Sequence, residues 1–165
     1  YNAELANDLG NLVQRVLSML ARYRDGIVPA KTSGDELNVE FEATTTAVKA
    51  ALAEVDFRAA LSAIWERVGA MNLYVEQAKP WVLHKEGDHA LLDETMYNLC
   101  EGLRWISALI YPFMPNSART TWESLGQTGT PGQQWEETLR WGSLAPGIRT
   151  HLPAALFPRV ESVAN

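Results

Sequence analysis

The sequence predicts an all-α fold, a bundle of four to five helices with an extended C-terminal tail. Three observations lead there. Apolar residues recur at i, i+3, i+4 and i+7 through most of residues 1–126, the spacing of a helix with one buried stripe. No segment alternates apolar and polar residues as a half-buried strand does. The breaks between periodic runs are short and carry Gly or Pro, so helices must pack directly on their neighbours.

The first predicted helix carries Leu5, Leu9, Leu12, Val13, Val16 and Leu20 on one stripe. Asn2 is its expected N-cap; Asp25 and Gly26 form its stop, and Pro29 lies where the helix cannot continue. A second helix starts after Ser33, with Asp35 and Glu36 at its positive end and Leu37, Val39, Phe41, Val48 and Leu52 as its apolar residues. The β-branched run Thr44–Thr46 weakens it. Asp56 is the N-cap of a third helix, whose stripe is Phe57, Leu61, Ile64, Trp65, Val68, Met71 and Val75 and which Pro80 ends. The fourth follows Asp88 along Leu92, Met96, Leu99, Leu103, Ile106 and Ile110, and Pro112 and Pro115 close it. Asn116 or Ser117 then caps a short fifth helix, "ARTTWESLG". Beyond Gly126 the composition turns to "GQTGTPGQQ", a loop, followed by a partial helix and an extended arm lying on other structure.

Length and composition narrow the function. The 165 residues are 47% hydrophobic and 21% charged, ordinary for one globular domain. No apolar run is long enough to span a bilayer, so no membrane role is expected. Tyr1 opens on an amphipathic pattern, which gives no expectation of a signal peptide. A start without Met is expected of a piece of a longer chain or of a trimmed one. Twenty acidic residues against 14 basic, net −6, weigh against nonspecific binding to nucleic acid but leave room for a local patch.

Catalytic and metal motifs are missing. Cys100 is the lone cysteine, which excludes an internal disulfide, and its neighbours Leu99 and Leu103 point to a buried, inert thiol. His84, His89 and His151 show no HExxH or other paired spacing, and each reads as a surface residue. No glycine-rich phosphate loop is present. The carboxylate pairs Asp93/Glu94 and Glu136/Glu137 are adjacent in sequence and diverge on a helix. No catalytic site and no bound cofactor are expected in these residues.

Two polar features remain. At about 100° per residue, Asn11, Arg15, Ser18 and Arg22 share the face of the first helix opposite its leucine stripe. An amide beside a planar guanidinium can read a base edge and hold a phosphate. The same spacing also describes a plain solvated face. Trp81 directly follows Pro80 at the helix end and is flanked by Lys79 and Lys85. Presented sideways it can stack on an unpaired base, and folded back it can cap the bundle.

Four stretches together resemble the anticodon-binding helical domain of bacterial methionyl-tRNA synthetases. They are "YNAELANDLGNLVQRVLSM" at 1–19, "YVEQAKPWVLHK" at 74–85, "LCEGLRWISALIYPFMPNSARTTWESLG" at 99–126 and "LFPRVE" at 156–161. Their order and spacing carry the likeness, which runs from end to end and is least distinctive at 30–56 and 127–140. The resemblance implies a helical bundle that follows a class I catalytic domain, whose HIGH and KMSKS signatures and zinc-bearing insertion are absent from this sequence. It implies that Asn11, Arg15 and Trp81 contact a CAU anticodon. Arg22, Lys79 and Lys85 are candidate phosphate contacts by extension.

The resemblance further implies a parent enzyme, a methionine–tRNA ligase of the cytoplasm, that uses ATP and Mg and carries Zn in its catalytic domain. The expected partners are the anticodon loop of tRNA(Met) and the chain's own catalytic domain. Residues 1–126 would form the anticodon-binding bundle, and 127–165 a loop, short helix and tail packing back towards the catalytic domain. On that reading Trp141, Leu156 and Phe157 lack partners in the isolated domain. The anticodon domains of valyl-, isoleucyl- and leucyl-tRNA synthetases share the bundle, but "NLVQRV" and "KPWVLHK" match the methionine enzymes better than the N-x-x-R-F pattern of those relatives. A helical protein-interaction module with its docking corner at Trp81 is the reading from another class.

Overall fold

The structure is a computed structural model that describes residues 2–157. The described residues form seven helices: α1 (Asn2–Arg24), α2 (Asp35–Ala53), α3 (Phe57–Ala78), α4 (Pro80–Glu86), α5 (His89–Ile110), α6 (Pro115–Ser124) and α7 (Trp135–Thr138). They contain no strand; the one β-bridge is isolated, between Ile27 and Arg149. The all-α bundle with a tail is therefore the observed class.

Helix α5 is the axis of the bundle. Helices α1, α2, α3, α4, α6 and α7 all pack against it, and every residue from Thr95 to Ile110 is buried. The leucine-rich spine read from sequence is only one side of it. A helix enclosed all round must also bury its polar positions, and these need partners. Glu101 and Arg104 show how. Their side chains, 0% and 2% exposed, form an ion pair at 2.6 Å. Arg104 also donates to the carbonyls of Thr138 and Arg140 at 2.7 and 3.1 Å. Glu101 accepts from the backbone N–H of Leu144 at 3.0 Å. Beside them the Tyr97 hydroxyl donates to the Leu144 carbonyl at 2.7 Å.

These bonds bring the tail onto the bundle. The Val28 N–H donates to the Ile148 carbonyl at 2.9 Å and the Thr150 N–H to the Gly26 carbonyl at 2.7 Å. Trp141, expected to lack partners, packs against Phe41 and Trp105 with ring centroids 6.0 and 6.4 Å away. That expectation is corrected: the indole reaches α2 and α5 because Gly34, at φ +70° and without a side chain, leaves it room. A Cβ at Gly34 would sit 2.1 Å from the indole. Leu156 and Phe157 are half-buried against the core as well. Residues 158–161 of "LFPRVE" lie outside the described residues.

Helix boundaries follow local chemistry. Asp56 accepts from the Ala59 N–H at 3.0 Å, the N-cap expected, and Asp88 caps α5 by accepting from the Leu91 N–H at 3.2 Å. The expected cap at Asn2 falls among side chains outside the described set. Thr44, Thr45 and Thr46 stay helical by donating to the carbonyls of Glu40, Phe41 and Glu42 at 3.0, 2.9 and 3.1 Å. Two boundaries differ from expectation. Asn116 and Ser117 do not cap α6: Pro115 occupies its first turn, where a missing N–H leaves nothing unpaired, and Met114 precedes it. The turn expected around Trp81 is the start of α4. Lys79, at φ 50°, ends α3 and leads into α4, which Pro80 opens.

Candidate nucleic-acid interface

Helix α1 buries Leu9, Leu12, Val13, Val16, Leu17 and Leu20 to 1% exposure or less. The opposite face therefore meets solvent, and Asn11 and Arg22 are exposed on it. Arg15 lies between them and turns towards α4. Its guanidinium carbon sits 5.5 Å from the centroid of the Trp81 ring, and one terminal nitrogen donates to Glu76 Oε1 on α3 at 2.5 Å.

Trp81 takes its position from the short helix that carries it. Pro80 and Leu83, three apart, are buried and anchor α4. Of the two residues between them, Val82 is half-buried and Trp81 turns away from the anchored side, 37% exposed. It does not fold back to close the bundle end. Its named ring contact among the described residues is Arg15.

Residues 66 apart in sequence thus meet directly. Asn11 lies one turn before Arg15 on α1, about 6 Å away along the axis, and lines a cleft of about 200 Å³ between α1 and the tail. Arg22, Lys79 and Lys85 are exposed, but no hydrogen bond, ion pair or ring contact joins them to Asn11, Arg15 or Trp81 among the described residues. Arg22 continues the same α1 stripe two turns on, while Lys79 and Lys85 flank Trp81 at the two ends of α4.

One feature of the seam between α1 and α4 had no signal in the sequence. Tyr23 and His84 stack with centroids 4.4 Å apart and planes at 22°. Neither the helix wheel of α1 nor the lone histidine reveals a ring stack between separate helices. Cys100, by contrast, is buried as expected, and burial, with Glu101 beside it, pushes its thiol up to about 12. Among the described residues no three His, Cys, Asp or Glu side chains converge to hold a metal ion. No helix among them is long and apolar enough to cross a membrane.

An exposed indole under a guanidinium, with an amide one turn away, is a constellation suited to an unpaired base. Residues 35–143 match the family model described as the anticodon-binding domain of tRNA ligase. The chain belongs to the anticodon-binding domains of tRNA ligases. The matched span contains Trp81 and α4 but begins after α1, so Asn11 and Arg15 lie outside it.

Full-length likenesses to this anticodon-binding domain take in α1 as well. The chain is 38% identical to a methionine–tRNA ligase of Caldanaerobacter subterraneus, covering 97% of this chain and 26% of that protein. It is 34% identical to the methionine–tRNA ligase of Streptomyces coelicolor, covering 98% of this chain and 32% of that protein. The crystal structure of Mycobacterium tuberculosis methionyl-tRNA synthetase in its free state superposes with a TM-score of 0.83 at 36% identity, covering 98% of this chain and 33% of that one. The same enzyme bound by methionyl-adenylate gives 0.82 at 36% identity, over 95% of this chain and 32% of that one. The anticodon-binding domain thus spans a quarter to a third of the ligases it matches.

Proposed function

We propose that this anticodon-binding domain reads the CAU anticodon of tRNA(Met) on behalf of a methionine–tRNA ligase. The observation that carries the reading is the contact between Arg15 and the exposed Trp81, beside Asn11. A splayed anticodon base stacks on the indole, a contact worth about 1–3 kcal/mol for a base on an aromatic side chain. Arg15 exchanges Glu76 for a phosphate or a base edge, and its planar fork fixes the direction of approach. The Asn11 amide supplies one donor and one acceptor towards a neighbouring base edge. Arg22, Lys79 and Lys85 add attraction for phosphates along the strand.

The parent enzyme, working in the cytoplasm, joins methionine to ATP with release of pyrophosphate and passes the methionyl group to tRNA. ATP, Mg and Zn belong to its catalytic domain. The anticodon-binding domain supplies the identity check, and the tail from residue 127 leads back towards the catalytic domain.

The test is a fluorescence titration with an anticodon stem-loop carrying CAU. Stacking on Trp81 predicts a quench that disappears in Trp81→Phe. A quench of equal size in Trp81→Phe would contradict the assignment.

A further inference from the structure

The polar face of α1 is wider than the Asn11–Arg15 pair. At about 100° per residue, Arg15 lies about 40° to one side of Asn11 and Gln14 about 60° to the other, with Asn7 between Gln14 and Asn11. Arg15 leads to the Trp81 wall on α4. Gln14 and Asn7 lead to a second wall, made by the tail. Asn7, Gly10, Asn11, Gln14, Leu156 and Phe157 line the cleft of about 200 Å³ between α1 and the tail. The ring packs beside Gly10: a Cβ there would make ordinary van der Waals contact with Phe157 Cδ2, at 3.5 Å. The Leu156 carbonyl accepts a long hydrogen bond from Ser117 Oγ, at 3.4 Å.

The chemistry of this cleft is that of a nucleobase. Its floor carries three side-chain amides, each able to donate and accept, and its wall is aromatic and aliphatic. Asn7, Asn11 and Gln14 are exposed. Gln14 makes one weak bond, to Ser18 at 3.5 Å. Asn7 and Asn11 have no side-chain hydrogen bond among the described residues. The cleft has room for one flat ring and no carboxylate among its lining residues to repel a nearby phosphate.

We propose that the cleft between α1 and tail residues 153–157 is a second nucleobase subsite, in which Asn7 and Gln14 read the edge of a base packed against Phe157. The proposal rests on the anticodon reading and extends it: the strand crosses the polar face of α1, with one base on Trp81 and another against the tail. The tail thereby becomes part of the recognition surface.

The experiment measures affinity for the CAU stem-loop together with chemical probing of its loop bases, using dimethyl sulfate at A and C and a carbodiimide at U and G. The proteins compared are wild type, Gln14→Ala, Asn7→Asp, Phe157→Ala and Trp81→Ala, each checked for fold by circular dichroism. The subsite predicts that Gln14→Ala and Phe157→Ala each weaken binding about 5-fold or more, the scale of a lost base-edge contact. They should also re-expose one loop base different from the base that Trp81→Ala re-exposes. Gln14→Ala keeps the test valid if Phe157→Ala misfolds, because Gln14 is exposed. Wild-type affinity with unchanged protection in the cleft variants, while Trp81→Ala still loses binding, overturns the subsite and leaves the anticodon reading standing. Re-exposure of the same base by both sets overturns the second base. Failure of the wild-type protein to prefer the CAU loop overturns both.

Discussion

Arg15 is shared between Trp81 and Glu76. Its guanidinium carbon lies 5.5 Å from the indole centroid while a terminal nitrogen donates to the Glu76 carboxylate at 2.5 Å. Neither hold is strong. Arg15 and Glu76 are 38% and 56% exposed, and a solvated ion pair of that kind contributes about 0–1 kcal/mol. A cation over an exposed ring adds about 0.5–1 kcal/mol. Arg15 is therefore oriented without being committed, and a phosphate or base edge can take it over at small cost.

Glu76→Gln is expected to tighten RNA binding. Removing the carboxylate frees Arg15 and deletes a negative charge beside the site, so the CAU stem-loop should bind up to about 5-fold more tightly, the full value of a surface pair. The dependence on salt should remain, since phosphate contacts are kept. Titrations of both proteins at two salt concentrations check this; weaker binding by Glu76→Gln would show that Glu76 itself serves recognition.

Trp81→Ala is expected to lose about 5-fold to 150-fold in affinity, the range of a lost base stack. The fold should barely change, because Trp81 is more than a third exposed and the anchors Pro80 and Leu83 remain. Thermal melts alongside binding curves separate the two effects. A large drop in melting temperature would mean that the indole is structural.

Arg15→Lys keeps the charge and loses the planar fork. Attraction to phosphate survives, so nonmatching loops should bind as before, while the preference for the matching anticodon falls. Binding curves with matched and mismatched loops report the ratio, and an unchanged ratio would assign Arg15 to phosphate alone.

Where helix chemistry is local, the sequence was sufficient. Asp56 and Asp88 each cap the turn that follows, and their bonds to Ala59 and Leu91 involve residues three away. Helix α4 is seven residues long, too short for an apolar period to show, so Pro80 read as a breaker when it is also a first-turn residue. The polar side of α5 was hidden for another reason. The partners of Glu101 and Arg104 include Thr138, Arg140 and Leu144, more than 30 residues on, and no local pattern marks such a bond. The site divides in the same way. Asn11 and Arg15 share a helix face and were visible together, whereas the contact of Arg15 with Trp81 and the stack of Tyr23 on His84 depend on how α4 lies against α1. Only the resemblance grouped Trp81 with Asn11 and Arg15, and the contact the structure shows among them is that of Arg15 with Trp81.

Glu101→Ala is expected to destabilise the fold by about 3–5 kcal/mol, because it leaves the Arg104 charge buried without its carboxylate. The Leu144 N–H loses its acceptor too, so hydrogen exchange should rise first in residues 138–144. A mild effect confined to the tail, with the bundle melt unchanged, would show that water replaces the carboxylate.

Cys100 is expected to resist thiol reagents until the chain unfolds. Its thiol is pushed up to about 12 by burial first and Glu101 second, against about 8.5 for a free cysteine. The native chain therefore keeps a proton that the unfolded chain releases, and stability should fall as pH rises from about 9 towards 12. Tyr97, raised above the ordinary tyrosine range by burial and by Glu101, acts in the same direction from about pH 10. Melts from pH 8 to 11 with Cys100→Ala, which should flatten the early part of the decline, check the sign.

The most direct test of the anticodon reading is the dissociation constant for a CAU stem-loop set against loops with each anticodon base changed in turn. Recognition at Asn11, Arg15 and Trp81 predicts that at least one single change weakens binding about 5-fold or more, and that the discrimination vanishes in Trp81→Ala. Equal affinity for every loop, in a protein that is folded, would contradict it.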